Sequence, residues 1–148
     1  KNPNVLEPLI NISCSCAKRG RMQHWHRRGG SVKHCGMCLP CIYRRVSLHM
    51  NGLDNNVDIH YGTNVFNGEE FELNNTKLKA LRDFRTLLEF IRNRPSIERI
   101  EKELLINGMR DVSKIREYAC VVDRTIDQII EWINASGNEE IKRKAGIR

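Results

Sequence analysis

Three thiols recur at every third position in His34-Cys35-Gly36-Met37-Cys38-Leu39-Pro40-Cys41. Cysteines this close converge on one ion through a tight turn, and zinc takes thiolate sulfur at about 2.3 Å in a closed tetrahedron. A structural site wants four ligands, so the loop is one short. Cys14 and Cys16 lie upstream and, one residue apart, compete for the remaining vertex rather than share it. His24, His26 and His34 are imidazole alternatives. A thiolate is the better choice, because an all-sulfur set suits a closed site that holds structure. The loop has too few apolar residues to fold unaided, so metal binding here is folding energy.

Other chemistry fits this loop less well. An iron–sulfur cluster would use the same Cys-x2-Cys-x2-Cys opening, but the next cysteine of the bacterial ferredoxin run is replaced by Arg45, and a remote thiol would have to stand in. The zinc-deaminase pattern is missing, since Pro40-Cys41 leads into Ile42-Tyr43-Arg44. No phosphate loop of the G-x-x-x-x-G-K-[ST] type occurs, and Arg28-Gly29-Gly30-Ser31 is not one. No Cys–His pair reads as nucleophile and base. Disulfides are disfavoured, because five of the six cysteines sit in the first 41 residues with metal-type spacing. Cys120 stands alone on a helical pattern and reads as a buried apolar residue. These features fit a reducing, cytoplasmic setting. There is no run of 18 apolar residues and no secretory leader, so no membrane partner is expected.

Charge is concentrated around the thiols. The chain carries a net +7; residues 1–60 hold nine Lys or Arg against three Asp or Glu, while residues 61–148 hold sixteen against fifteen. Lys18, Arg19, Arg21, Arg27, Arg28 and Lys33 surround Trp25. Such a loop suits nucleic acid or a nucleotide-like ligand, with the indole stacking on a base. The competing reading is that these cations offset a doubly negative zinc tetrathiolate. Two-cysteine, two-histidine finger spacing is absent.

The elements that must position this loop follow from periodicity. Ile42, Val46 and Met50 share one helical face, and Gly52 is a suitable stop. A helix leaving a metal loop aims its first amides at the thiolates. Val57-Asp58-Ile59-His60-Tyr61 alternates weakly, as a short strand does. From residue 74 the pattern is helical. Asn74-Asn75-Thr76 offers caps for a stripe of Leu78, Leu81, Phe84, Leu87, Leu88 and Ile91, which ends at Pro95. Ser96 caps a second helix with Ile97, Ile100, Leu104 and Leu105 inward and Gly108 as its stop. Asp111 or Ser113 caps a third, with a stripe from Ile115 through Tyr118, Ala119, Val122, Ile126, Ile129 and Ile130 to Ile133. Gly137 closes it and a basic tail follows. The expected architecture is mainly α: a zinc-clip region at 1–54, a connector at 55–73 and a small helical bundle at 74–148.

Ser13-Cys14, a gap, and then Cys35-Gly36-Met37-Cys38-Leu39-Pro40-Cys41-Ile42-Tyr43-Arg44 resembles the C-terminal zinc motif of the 7-cyano-7-deazaguanine synthases, the QueC family. The 20 residues between Cys14 and Cys35 make a longer gap than that family's. With Gln23-His24-Trp25 included, the pattern is similar to QueC-like proteins of bacterial anti-phage defence. The resemblance spans residues 5–54. It implies an α/β PP-loop, ATP-dependent ligase that activates a carboxylate on a 7-deazaguanine, with structural zinc on Cys14, Cys35, Cys38 and Cys41. It also implies that Arg44 faces the substrate or its phosphate. The family's Ser-Gly-Gly-x-Asp-Ser ATP loop is not in this sequence. ATP would then belong to a longer protein, and this chain alone is expected to be inactive.

Lys1 and the residues after it read as a chain already in progress. Two functions are therefore carried forward. One is the zinc-bearing C-terminal region of a QueC-like enzyme, partnered by an upstream PP-loop domain or a companion protein. The other is a stand-alone zinc-clip adaptor that binds nucleic acid or a protein.

Overall fold

The computed structural model describes residues 8–10, 12–18, 34–55, 61–66 and 81–147. The basic loop at 19–33 with His24, Trp25 and His26, the expected strand at 57–61 apart from Tyr61, and the expected cap at 74–76 with Leu78 lie outside the described residues. The chain forms two compact units, Lys1–Thr86 and Leu87–Arg148. The described residues are mainly helical and contain no strand longer than a single bridge.

In the first unit, helix α1 covers Leu39–His49. It starts earlier than the periodicity suggests, with Cys38 as N-cap and Pro40 in the first turn. Proline is harmless there because its missing N–H would have had no partner inside the helix. Cys41, Ile42, Arg45, Val46 and Leu48 are buried, one face of the 3.6-residue repeat. Met50, expected on that face, is the C-cap and only half-buried. Gly52 ends the helix as expected, at φ +68° with its N–H on the His49 carbonyl at 2.9 Å.

Residues 61–66 run beside the thiol loop. His34 and Tyr61 form a parallel bridge, and the Gly62 N–H donates to the His34 carbonyl at 2.8 Å. Tyr61, Thr63 and Val65 are buried while their neighbours are half-buried, the period of two that an extended segment requires. Phe66 meets Phe84 edge-on at 6.1 Å, and Leu81 is buried.

Helix α2, Arg82–Arg92, crosses from the first unit into the second. It stops short of Pro95, whose ring disfavours helical geometry in the residue before it. In the second unit, α3 spans Ile97–Ile106, and the Ser96 hydroxyl accepts from the Arg99 N–H as predicted for a cap. A 3-10 turn at Val112–Lys114 leads into α4, Ile115–Ser136. Helices α3 and α4 pack antiparallel, with Arg116 Nη1 on Glu101 at 2.9 Å. Arg94 bridges Asp123 and Asp127, each at 2.6 Å.

Three expectations change here. Of the face expected on α3, only Ile100 is buried; Ile97 and Leu104 are half-buried and Leu105 is exposed, since one helix packed on one partner covers a narrow stripe. Tyr118 is exposed and Cys120 half-buried rather than a core residue. The basic tail is a fifth helix, α5, Glu139–Lys144. Asn138 caps it by accepting from the Ile141 N–H at 2.9 Å, and Ile141 and Ala145 are buried four residues apart.

Trp132 anchors this unit: it is completely buried on α4, together with Ala119, Ile126, Ile129 and Ile133. Trp132→Ala is expected to cost about 3–5 kcal/mol, the usual range for deleting a core aromatic and leaving a void. Denaturant midpoints read on the helical signal of residues 87–148 check it. A loss under about 1 kcal/mol would mean that Trp132 is not the centre of this core.

Candidate metal centre

The thiol loop is built by local geometry. Gly36 has φ +79°, a conformation in which an L side chain is strained. It is also pressed against the neighbouring segment: a Cβ placed on it would lie 1.9 Å from the Thr63 carbonyl oxygen. The sharp turn at Gly36 and the start of α1 at Cys38 bring Cys35, Cys38 and Cys41 together, all at most 2% exposed. The fourth thiol is Cys16, half-buried, on the N-terminal segment.

The four sulfurs of Cys16, Cys35, Cys38 and Cys41 lie within 4.8 Å of one another. The Sγ atoms of Cys35 and Cys41 are 3.8 Å apart. A tetrahedron with metal–sulfur bonds of about 2.3 Å has edges of about 3.8 Å, so the set fits one thiophilic ion at its centre. All six cysteines are free thiols, which agrees with metal-type spacing and not with a disulfide framework. An iron–sulfur cluster would spread the four thiolates over separate metal atoms; this tighter set suits a single ion.

Backbone amides are aimed at the sulfurs. The N–H groups of Met37 and Cys38 reach Cys35 Sγ at 3.4 Å, and the Cys35 N–H reaches Cys16 Sγ at 3.3 Å. Cys38 Sγ faces the amides of Cys41 and Ala17, and Cys41 Sγ that of Gly36. Each sulfur thus meets at least one positive dipole, and Cys38 additionally caps α1. Four thiolates around a divalent ion carry two net negative charges, and amide donors are the local means of stabilising them.

Crowding sets the proton affinities against one another. Its hydrogen bonds to Cys35 and then Cys41 hold the Cys38 thiol far below the usual range. The hydrogen bond to Cys38, with burial, pushes Cys35 up to about 11. Hydrogen bonds to Cys35 and Cys38, with burial, push Cys41 up too. Thiolates this close repel one another, and a cation between them relieves that repulsion.

The resemblance placed Cys14 in the ligand set, and the gathered group contains Cys16 instead. Spacing could not decide between them, because both precede the loop by a long segment. The Ser-Cys element of the motif survives the change, since Ser15-Cys16 repeats Ser13-Cys14. His34 is buried beside Tyr61 and also lies outside the gathered set.

Arg44, expected to face a substrate, is engaged within the chain. Its Nη1 donates to Ser13 Oγ at 2.8 Å and its Nη2 to the Ile10 carbonyl. Arg45, which sequence reasoning passed over, is the more deeply placed of the two at 2% exposure. Its Nη2 and Nε lie 3.2 Å from Asp54 Oδ2, Nη1 donates to Asn64 Oδ1 at 3.1 Å, and the guanidinium stacks near Tyr61 and Phe66. Arg45 therefore joins α1 to the loop after it and to the segment that supports Gly36. Its place four residues after Cys41, on the face of Ile42 and Val46, was the available signal.

Among the described residues no helix is long and apolar enough to cross a membrane. The chain matches no protein-family model, no curated protein and no solved structure.

Proposed function

We propose that residues 8–66 are a zinc-stapled module whose metal is structural, held by Cys16, Cys35, Cys38 and Cys41. The observation that carries this reading is the convergence of four sulfurs within 4.8 Å of one another, three of them buried, with Cys35 and Cys41 Sγ 3.8 Å apart, the edge of a zinc–thiolate tetrahedron. Four protein thiolates fill the coordination shell and leave no open position for water or substrate, so the ion would serve folding and not catalysis.

At the level of the whole protein, we propose that this module belongs to a QueC-like, ATP-dependent C–N ligase acting on a 7-deazaguanine-type carboxylate in the cytoplasm, with a role in anti-phage defence. The support is the order Ser-Cys, Cys-Gly-x-Cys-x-Pro-Cys and the arginine three residues later, now carried by Ser15-Cys16 in place of Ser13-Cys14. ATP and the carboxylate would be bound by an upstream PP-loop domain. A gene that encodes Ser-Gly-Gly-x-Asp-Ser in frame before Lys1 would support this; a natural translation start immediately before Lys1 would count against it. The second reading, a free-standing adaptor for nucleic acid, rests on the basic excess of residues 1–60. It predicts binding that weakens steeply with salt.

The metal centre has its own test. Purified without chelator, the protein is expected to carry about one zinc per chain and to be colourless. Cys38→Ser is expected to abolish binding and unfold the first unit while residues 87–148 keep their helical circular dichroism. Visible absorption with iron, or full metal retention in Cys38→Ser, would overturn the assignment.

A further inference from the structure

The four ligands are not held alike. Cys35, Cys38 and Cys41 belong to one loop and the first turn of α1, where the amides of Met37 and Cys38 face Cys35 Sγ. Cys16 comes from a separate segment, the described residues within 8–18, which is tied to this loop and helix by several polar contacts, the Ala17 amide facing Cys38 Sγ among them. Another is the Ser15 hydroxyl on the Pro40 carbonyl at 3.3 Å, and a third the Cys35 N–H on Cys16 Sγ itself. A further anchor is Arg44, which grips the segment at two points, Ser13 Oγ and the Ile10 carbonyl. The same stretch is closed into a helical turn by the Ser13 N–H on the Leu9 carbonyl at 2.9 Å.

This arrangement bears on a choice built into the sequence. Ser13-Cys14-Ser15-Cys16 is one dipeptide repeated, so a slip of two residues would present Cys14 to the metal with the same neighbour. Resting on the metal-centre reading above, we infer that Arg44 is a positioning residue for the fourth ligand: by pinning Ile10 and Ser13 it sets the register in which Cys16 closes the tetrahedron and Cys14 does not. Cys14 adjoins the anchored Ser13, whereas Cys16, three residues past the anchor, reaches the sulfurs of the loop. A planar guanidinium suits this task because it donates in two directions at once; a lysine ammonium on a flexible stem does not hold that fork.

The test is a double-mutant cycle on the full chain. Zinc affinity is read by competition with a chromogenic chelator, and cobalt substitution reports the thiolate count through its charge-transfer and ligand-field bands. With Arg44 present, Cys16→Ser is expected to weaken zinc about 100-fold and Cys14→Ser less than about 2-fold. In Arg44→Ala, affinity is expected to fall about 10- to 100-fold. The two serine variants should then differ by less than about 3-fold, because either cysteine fills the vertex. Arg44→Lys should behave like Arg44→Ala. If Arg44→Ala does not fold, Ser13→Ala, which removes one of the two anchors, must narrow the same ratio. A ratio unchanged in Arg44→Lys and Ser13→Ala overturns the inference and leaves the metal centre standing. Loss of no metal on changing Cys35, Cys38 or Cys41 overturns both.

Discussion

Gly36→Ala is expected to dismantle the metal module. The added methyl carbon would sit 1.9 Å from the Thr63 carbonyl oxygen and 3.2 Å from Tyr61 Cβ, on a residue at φ +79°. The backbone conformation alone costs an alanine about 1–2 kcal/mol. The steric conflict costs more, because its opposite side is backbone and cannot rotate away. That backbone is itself held by the Gly62 N–H on the His34 carbonyl, one residue before the first loop ligand. Relief therefore means breaking the His34–Tyr61 bridge or opening the turn that gathers the sulfurs. We expect a loss of at least about 3 kcal/mol from the first unit, since backbone strain and overpacking add. Zinc affinity should fall with it, because binding and folding of this segment are one equilibrium. Chelator competition and thermal melts of the zinc-loaded protein check both. Wild-type affinity and melting temperature in Gly36→Ala would show that the close approach to Thr63 is not what shapes the loop.

Arg45→Ala is expected to destabilise the first unit strongly without touching a ligand. The Arg45 and Asp54 side chains are 3% and 7% exposed, so the pair is desolvated on both sides. Removing the arginine strands the Asp54 carboxylate, takes one of two donors from the Asn64 amide oxygen, which keeps the Phe66 N–H, and withdraws the cation stacked near Tyr61 and Phe66. Breaking a buried pair from one side typically costs about 3–5 kcal/mol. Arg45→Ala with Asp54→Ala should recover part of this loss, because no charge is then left unpaired. Melting of the two single variants and the double variant checks it. Additive losses would mean that the two side chains are not coupled, and the clamp would then have no role in supporting residues 61–66.

The same two positions separate local from tertiary information. The three-thiol loop, the helix that leaves it, the Ser96 cap and the stops at Gly52 and Gly108 were all legible in the sequence. Each depends on residues within about one or two helical turns, and short-range steric and capping preferences act on that scale. The fourth thiol was not legible, because Cys14 and Cys16 are chemically equal and only the tertiary structure brings Cys16 to the loop, with Arg44, some thirty residues along the chain, bonded to the same segment. Arg45 was missed for a related reason: a charged residue on a helix is buried only when distant partners neutralise it, and Asp54 and Asn64 carry no such mark in the sequence. The helical stripes overstated the core for α3 and α4, where Leu105 and Tyr118 remain exposed. Periodicity shows which residues share a face, but the partner helix covers only the part of that face it touches. The amino-acid order by itself determined that thiols would gather and that helices would follow them. Long-range contact alone decided which cysteine joins the gathered thiols and which arginine is buried beside them.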